Sequence, residues 1–131
     1  MPYKGFDTTL LYDVLKEVEV FYKCNAIIIP VSNLPTNAFY TPRQRYKADS
    51  LLVFQKQLAK DGIRSVIGFT AKDISTATPD WGVFGLGYCP GKACVISTYR
   101  LKKASVTTVQ LKERLIKVVL HELGHNLGLP H

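Results

Sequence analysis

The 131 residues carry 17 Lys and Arg against 10 Asp and Glu, a net charge of +7, with 47% hydrophobic and 21% charged side chains. That length and balance fit one folded domain with its own core, and they exclude a disordered or multidomain chain. No stretch reaches the roughly 18 uncharged apolar residues that span a bilayer, and the opening MPYKGFDTTL has no apolar h-region, so the expected setting is cytoplasmic, without a membrane partner.

The basic residues are scattered from Lys16 to Lys117 rather than gathered in one stretch. That pattern reads as a solvated basic surface and argues against nucleic acid as a partner. Three cysteines are too few for a disulfide framework. Cys24 reads as a small buried side chain. Cys89 and Cys94 flank a turn in CPGKAC, which leaves open either free thiols or a disulfide across a hairpin.

Behind an Asp7 or Thr cap, Leu10, Leu11, Val14, Leu15, Val18, Phe21 and Tyr22 recur at helical spacing, predicting a first helix. The β-branched run AIIIP predicts a buried strand over residues 25–29. After a long connection, Thr41, Pro42 and Gln44 resemble a capping box, predicting a second helix to about Lys60 that buries Leu51, Leu52, Phe54 and Leu58. SVIGFT, residues 65–70, predicts a second strand. VFGLGY and ACVISTY predict an antiparallel hairpin over 82–99, joined by CPGK. Glycines at 82, 85 and 87 leave one side of its first strand bare, which suits either backbone approach by a ligand or tight packing against a neighbour. A final helix starts at a Thr107–Gln110 capping box and buries Leu111, Leu115, Val118, Val119 and Leu123. Helix followed by strand, twice over, predicts an α/β domain with a partly parallel sheet.

That last helix carries the chemistry. His121-Glu122-Leu123-Gly124-His125 is HExxH, and two histidines four apart project from one helix face toward a single metal. Glu122 is turned about 100° from His121, close enough to hold a water without being a ligand. The motif extends to HELGHNLGLPH. On a straight helix residue 131 would lie about 15 Å beyond residue 121. Gly128 can end the helix in a left-handed turn and Pro130 can stiffen the return, so that His131 supplies a third nitrogen. Three protein ligands and one open position describe a catalytic zinc rather than a closed structural one.

HExxHxxGxxH resembles the metzincin clan of zinc metallopeptidases, and the chain is similar to the archaemetzincin family. The likeness includes PYKG before the first helix, Leu34-Pro35 through Tyr40 to Arg43 and Tyr46, Asp73, Phe84-Gly85, and Ser97 with Arg100-Leu101. It implies a metzincin upper subdomain: a twisted mixed, mainly parallel sheet with an antiparallel edge strand, backing helices and a zinc-binding helix. It further implies a single metallopeptidase catalytic domain over 1–131. Peptide hydrolysis by zinc-activated water is expected, with His121, His125 and His131 as metal ligands and Glu122 as general base. Val83, Phe84, Gly85, Leu86 and Gly87 would form the rim that pairs with a peptide or protein substrate. A monomer is expected. The family pattern continues past the third histidine with cysteines for a second, structural zinc and a Met-containing turn, which implies that the domain over 1–131 is incomplete at the C terminus; a strand before PYKG is implied likewise. The alternative reading is a zinc-binding module or degenerate, non-catalytic domain of the same kind.

Overall fold

The computed structural model describes residues 1–102 and 105–130. Asp7 accepts the Thr9 N–H at 3.0 Å and starts a 3-10 turn that runs into helix α1, Leu11–Tyr22. Leu11, Val14 and Val18 of α1 are buried, as the spacing predicts, whereas Phe21 faces solvent. Lys23 then ends the helix in a left-handed conformation, φ 52°.

The strand predicted over 25–29 does not form. Residues 24–31 make no ladder among the described residues, and Ile27 and Ile28 are 70% and 45% exposed. A β-branched run becomes a strand only where a partner edge is available. Here that edge is taken by the N-terminal residues: Tyr3 N–H donates to Phe69 O at 2.8 Å and Phe69 N–H to Met1 O at 3.0 Å. The later chain joins them only at Ser32, whose N–H donates to Pro2 O at 3.1 Å. Cys24 is exposed, contrary to the expectation of burial, because it lies just past the end of α1 on that outer path.

The second helix begins later than predicted. Phe39–Tyr40 form β1, Thr41–Arg43 make only a 3-10 turn, and Gln44 leaves it at φ 53°. Gln44 uses its side chain to donate to Thr41 O at 2.9 Å instead of closing a capping box. Arg45–Lys47 are β2, and α2 is confined to Ala48–Lys56. Tertiary contacts override the local cap: Arg45 is buried between Asp73 and Asp80, and Tyr46 N–H pairs with Asp73 O at 3.0 Å. Leu51 and Leu52 are buried as expected, but Leu58 is exposed beyond the helix end.

Strands β3 (Val66–Thr70), β4 (Ile74–Ser75), β5 (Gly82–Val83), β6 (Gly85–Gly87) and β7 (Ala93–Ser97) follow, then helix α3, Thr108–Asn126. They form two sheets, β3-β7-β6 and β1-β2-β4-β5. In the first, β3 and β7 run parallel with Val66 opposite Ala93, and β6 is the antiparallel edge with Leu86 opposite Val95. The predicted hairpin is therefore present, though Phe84 divides its first arm between the edges of two sheets. The mixed sheet, edge strand and covering helices match the expected architecture.

The core lies on both sides of β3-β7-β6. On one side α1 and α3 pack through Leu11, Val14, Val18, Leu115 and Val119 onto Phe69 and Ile96. On the other, Leu51 and Leu52 of α2 meet Tyr3, Val66 and Val95. Gln55 of α2 is fully buried yet satisfied: it donates to Val66 O and Cys94 O at 3.1 and 2.7 Å and accepts from Tyr3 Oη at 2.9 Å. Gly68 makes room for it, since a Cβ there would lie 2.2 Å from Gln55 Oε1. No disulfide joins the cysteines in this structure, where Cys94 is buried and Cys24 and Cys89 are exposed.

Candidate metal centre

Helix α3 opens with the predicted capping box, Thr107 Oγ1 accepting the Gln110 N–H and Gln110 Oε1 accepting the Thr107 N–H, each at 3.1 Å. Its last turns carry His121, Glu122 and His125. His121 lies at the solvent side, while Glu122 and His125 are 9% and 7% exposed. The Nε2 atoms of His121 and His125 are 3.0 Å apart. Two nitrogens that share one tetrahedral zinc stand about 3.3 Å apart, so this separation suits joint ligation.

The second ring nitrogen of His125 fixes its tautomer. Nδ1 lies 2.7 Å from Leu129 O, and a carbonyl only accepts, so Nδ1 carries the proton and Nε2 keeps its lone pair. That carbonyl is brought back by the turn the sequence predicts at Gly128. Gly128 has φ 93°, its N–H donates to His125 O at 2.9 Å, and Leu129 N–H donates to Gly124 O at 3.0 Å. The pair of bonds is a Schellman motif, and its left-handed residue is favoured by glycine's lack of a Cβ. The turn thus ends the helix and orients one donor of the pair. His131 lies outside the described residues. Among those described, no group of three or more His, Cys, Asp and Glu side chains is assembled for a metal. The imidazole pair, with one lone pair held in place by its own backbone, fits a borderline metal ion such as zinc.

The edge strand packs directly on this helix. A Cβ at Gly85 would lie 3.0 Å from Glu122 Cγ, and one at Gly87 would lie 3.0 Å from Glu122 O. Of the two readings of the bare glycines, close packing against a neighbour is the one realised at these positions. The backbone edge of β6 still faces away from β7 as the outer strand of its sheet. Gly82, Val83, Phe84 and Gly85 line an open cleft of about 500 Å³ together with Lys117, Val118, His121 and Glu122. Leu86 and Gly87 continue the strand beyond that lining, so the predicted rim is brought to the histidines mainly through its first three residues.

One residue beside the site escaped the motif. Asn126 is buried, and its Nδ2 donates to Tyr88 O at 2.9 Å and Ala93 O at 2.8 Å. Its Oδ1 accepts from Ser65 Oγ, and its backbone carbonyl accepts the Gly91 N–H at 3.2 Å. Asn126 therefore ties the end of the histidine helix to the hairpin that carries β6. The available signal was a polar residue three beyond Leu123 and seven beyond Val119, on the buried stripe.

The approach to the cleft is braced by ions. Asp73 accepts two hydrogen bonds from Arg100, at 2.8 and 3.1 Å, and lies 3.7 Å from Arg45. Asp80 meets Lys47 at 2.8 Å and Arg45 at 3.3 Å. The Lys47 hydrogen bond, with Arg45 behind it, holds the Asp80 carboxyl well below its ordinary range. A depressed carboxyl contributes stability above its unfolded value, near 3.8, and loses it as pH falls toward the folded value. Asp80→Asn should thus be less stable than the parent at pH 6, with the difference shrinking only below about pH 4. Urea unfolding of both proteins across that range is the measurement. A constant difference down to pH 2 would contradict the assignment.

Comparison with known proteins points one way. The family model described as Metallo-peptidase family M12B Reprolysin-like matches residues 17–131. The archaemetzincin of Haloquadratum walsbyi is 32% identical over 117 residues, which are 84% of this chain and 66% of that protein. That of Halobacterium salinarum is 33% identical over the same coverage. The chain thus spans about 66% of the length of these relatives. The crystal structure of Methanopyrus kandleri archaemetzincin superposes with a TM-score of 0.86 at 26% identity, covering 99% of this chain and 72% of that one. The Archaeoglobus fulgidus archaemetzincin gives 0.82 at 25%, covering 99% and 77%. No helix among the described residues is long and apolar enough to cross a membrane.

Proposed function

We propose, since the chain belongs to the reprolysin-like metallopeptidase family M12B and is similar to archaemetzincins over most of its length, that it hydrolyses peptide bonds with one zinc ion. The observation that carries this reading is the pair of imidazole nitrogens 3.0 Å apart beside the buried Glu122, on the wall of an open cleft. His121 and His125 would hold the ion, with His131 as third ligand. Zinc supplies a Lewis acid that polarises the scissile carbonyl and acidifies water.

The remaining work falls to side chains of this chain. Glu122 takes the proton of the attacking water and delivers it to the leaving amine, a role that needs a carboxylate near the reacting atoms and not bound to the metal. Burial against β6 restricts its rotamers, so the carboxylate is held where it acts. His125 keeps its lone pair aimed at the shared point because Leu129 O holds the opposite proton. The free edge of β6, with Val83 and Phe84 leading into it, offers main-chain groups to an extended peptide or protein substrate.

The purified protein should hold one zinc per chain by metal analysis, and His125→Ala should lower zinc affinity by at least tenfold, about the effect of removing an orienting partner alone. Cleavage of a mixed peptide library by the zinc-loaded protein tests the activity. Zinc content below about 0.2 per chain, unchanged by added zinc, would reject the metal assignment. Full zinc content with no cleavage would favour a non-catalytic zinc-binding module.

A further inference from the structure

We propose that the cleft beside the two histidines continues into a cationic subsite, formed by Arg100, Lys102 and Lys117, that receives a carboxylate of the substrate peptide. The inference rests on the hydrolytic reading of the site and adds a substrate class to it. A second cleft, of about 400 Å³, is lined by Gly82, Val83, Phe84, Tyr99, Arg100 and Lys102. It shares Gly82, Val83 and Phe84 with the cleft of His121 and Glu122, so the two adjoin at this segment. Lys117 stands one helical turn before His121 and lines the first of them. Across both linings the charged side chains are three cations and the single acid Glu122.

Arg100 is placed rather than merely nearby. Asp73 holds its guanidinium through two hydrogen bonds, yet the side chain remains 39% exposed. Asp73 is also shared with Arg45 at 3.7 Å, so its negative charge does not cancel Arg100 alone. The guanidinium lies across β5, where a Cβ on Gly82 would fall 2.1 Å from Arg100 Cζ. Glycine at 82 is what lets this cation reach the junction of the two clefts. Asp73 takes the Nε and Nη2 edge, and the remaining guanidinium N–H groups, held in one orientation, lose little entropy when they meet a carboxylate.

Lys102 and Lys117 add charge that is not committed elsewhere: among the described residues neither has an ion-pair partner. Asp7 lies within the influence of Lys102, but its carboxyl is lowered chiefly by hydrogen bonds from Thr9, with Lys102 the smallest contribution. Together the three cations favour an incoming carboxylate and repel a substrate lysine, and the repulsion does as much for selectivity as the attraction. The carboxylate has two possible sources, an acidic side chain or the C terminus of the peptide.

The test uses amidated peptides that differ only in having Asp or Lys at one position, scanned along four residues on each side of the scissile bond, with a matching set ending in a free carboxylate. At one position the zinc-loaded protein should cleave the Asp peptide about tenfold faster than the Lys peptide, with the ratio falling as salt rises. Faster cleavage of the free-acid peptides than of their amidated counterparts, with no difference between Asp and Lys, supports the subsite with the chain terminus as its source. The double variant Lys102→Glu, Lys117→Glu should abolish or invert the preference, and using the ratio of two peptides cancels any change in the amount of active protein. No preference for Asp over Lys at any position and none for free-acid over amidated peptides, or either preference unchanged in the double variant, overturns the proposal. If no peptide is cleaved, the hydrolytic reading fails on its own, and fluorescence anisotropy with the same labelled peptides decides the subsite. Tenfold tighter binding of the Asp form supports it, and equal binding overturns it.

Discussion

Glu122→Gln should bind zinc as the parent does and lose peptide hydrolysis by about 10²-fold or more, the range for removing a general base. The substitution keeps the size of the side chain, which matters because Glu122 is packed against β6, its Cγ 3.0 Å from where a Gly85 Cβ would sit. A smaller residue would open a gap there and confuse a packing defect with a chemical one. Glutamine cannot accept the proton at neutral pH, so the loss isolates proton transfer. His121 and His125 are untouched, and the zinc content read beside kcat/KM shows whether the metal stayed. A mutant that turns over a cleaved peptide as fast as the parent would remove Glu122 from the base role. Loss of zinc together with activity would instead show that the carboxylate helps hold the metal.

Asn126→Ala should destabilise the protein by about 1–3 kcal/mol, because it strips one partner from the buried Ala93 O and from the half-buried Tyr88 O and Ser65 Oγ. Tyr88 O and Ala93 O lose the donor that bridges them, and Ser65 Oγ loses its acceptor. Asn126→Asp is the sharper comparison: nearly the same shape, it places carboxylate oxygens against two carbonyls in place of an amide donor. Both variants should unfold at lower urea than the parent at neutral pH, the Asp form no less affected than the Ala form. An unchanged midpoint for Asn126→Ala would show that the hairpin and the helix end are held in register by packing alone. Since the hairpin carries β6 and the helix carries His125, a loosened register is also expected to reach the zinc pair.

The local parts of this protein were determined by its sequence. The Thr107–Gln110 box starts α3 where its residues predict, the two histidines four apart come together on one face, and Gly128 takes the left-handed turn. Each depends on neighbours within a few residues, so periodicity and capping chemistry suffice. The architecture and the family were legible for the same reason, because motif spacing and the order of elements are written along the chain.

Tertiary structure decided what depended on distant partners. AIIIP has the composition of a strand, yet the ladder position beside β3 belongs to the first three residues, and its isoleucines are left outside. Thr41, Pro42 and Gln44 have the residues of a helix start, yet Arg45 is drawn into an extended strand by Asp73 and Asp80, about 30 residues away. The glycines at 82, 85 and 87 show the limit most clearly. Their lack of side chains was visible, but only the fold reveals that the vacated space holds Arg100 at one and helix α3 at the others. Asn126 is the same case in reverse: a polar residue on a buried stripe acquires its purpose from two carbonyls and a hydroxyl that the chain reaches only after folding. Short-range spacing sets which groups a helix can present, whereas pairing across the fold sets which of them find a partner.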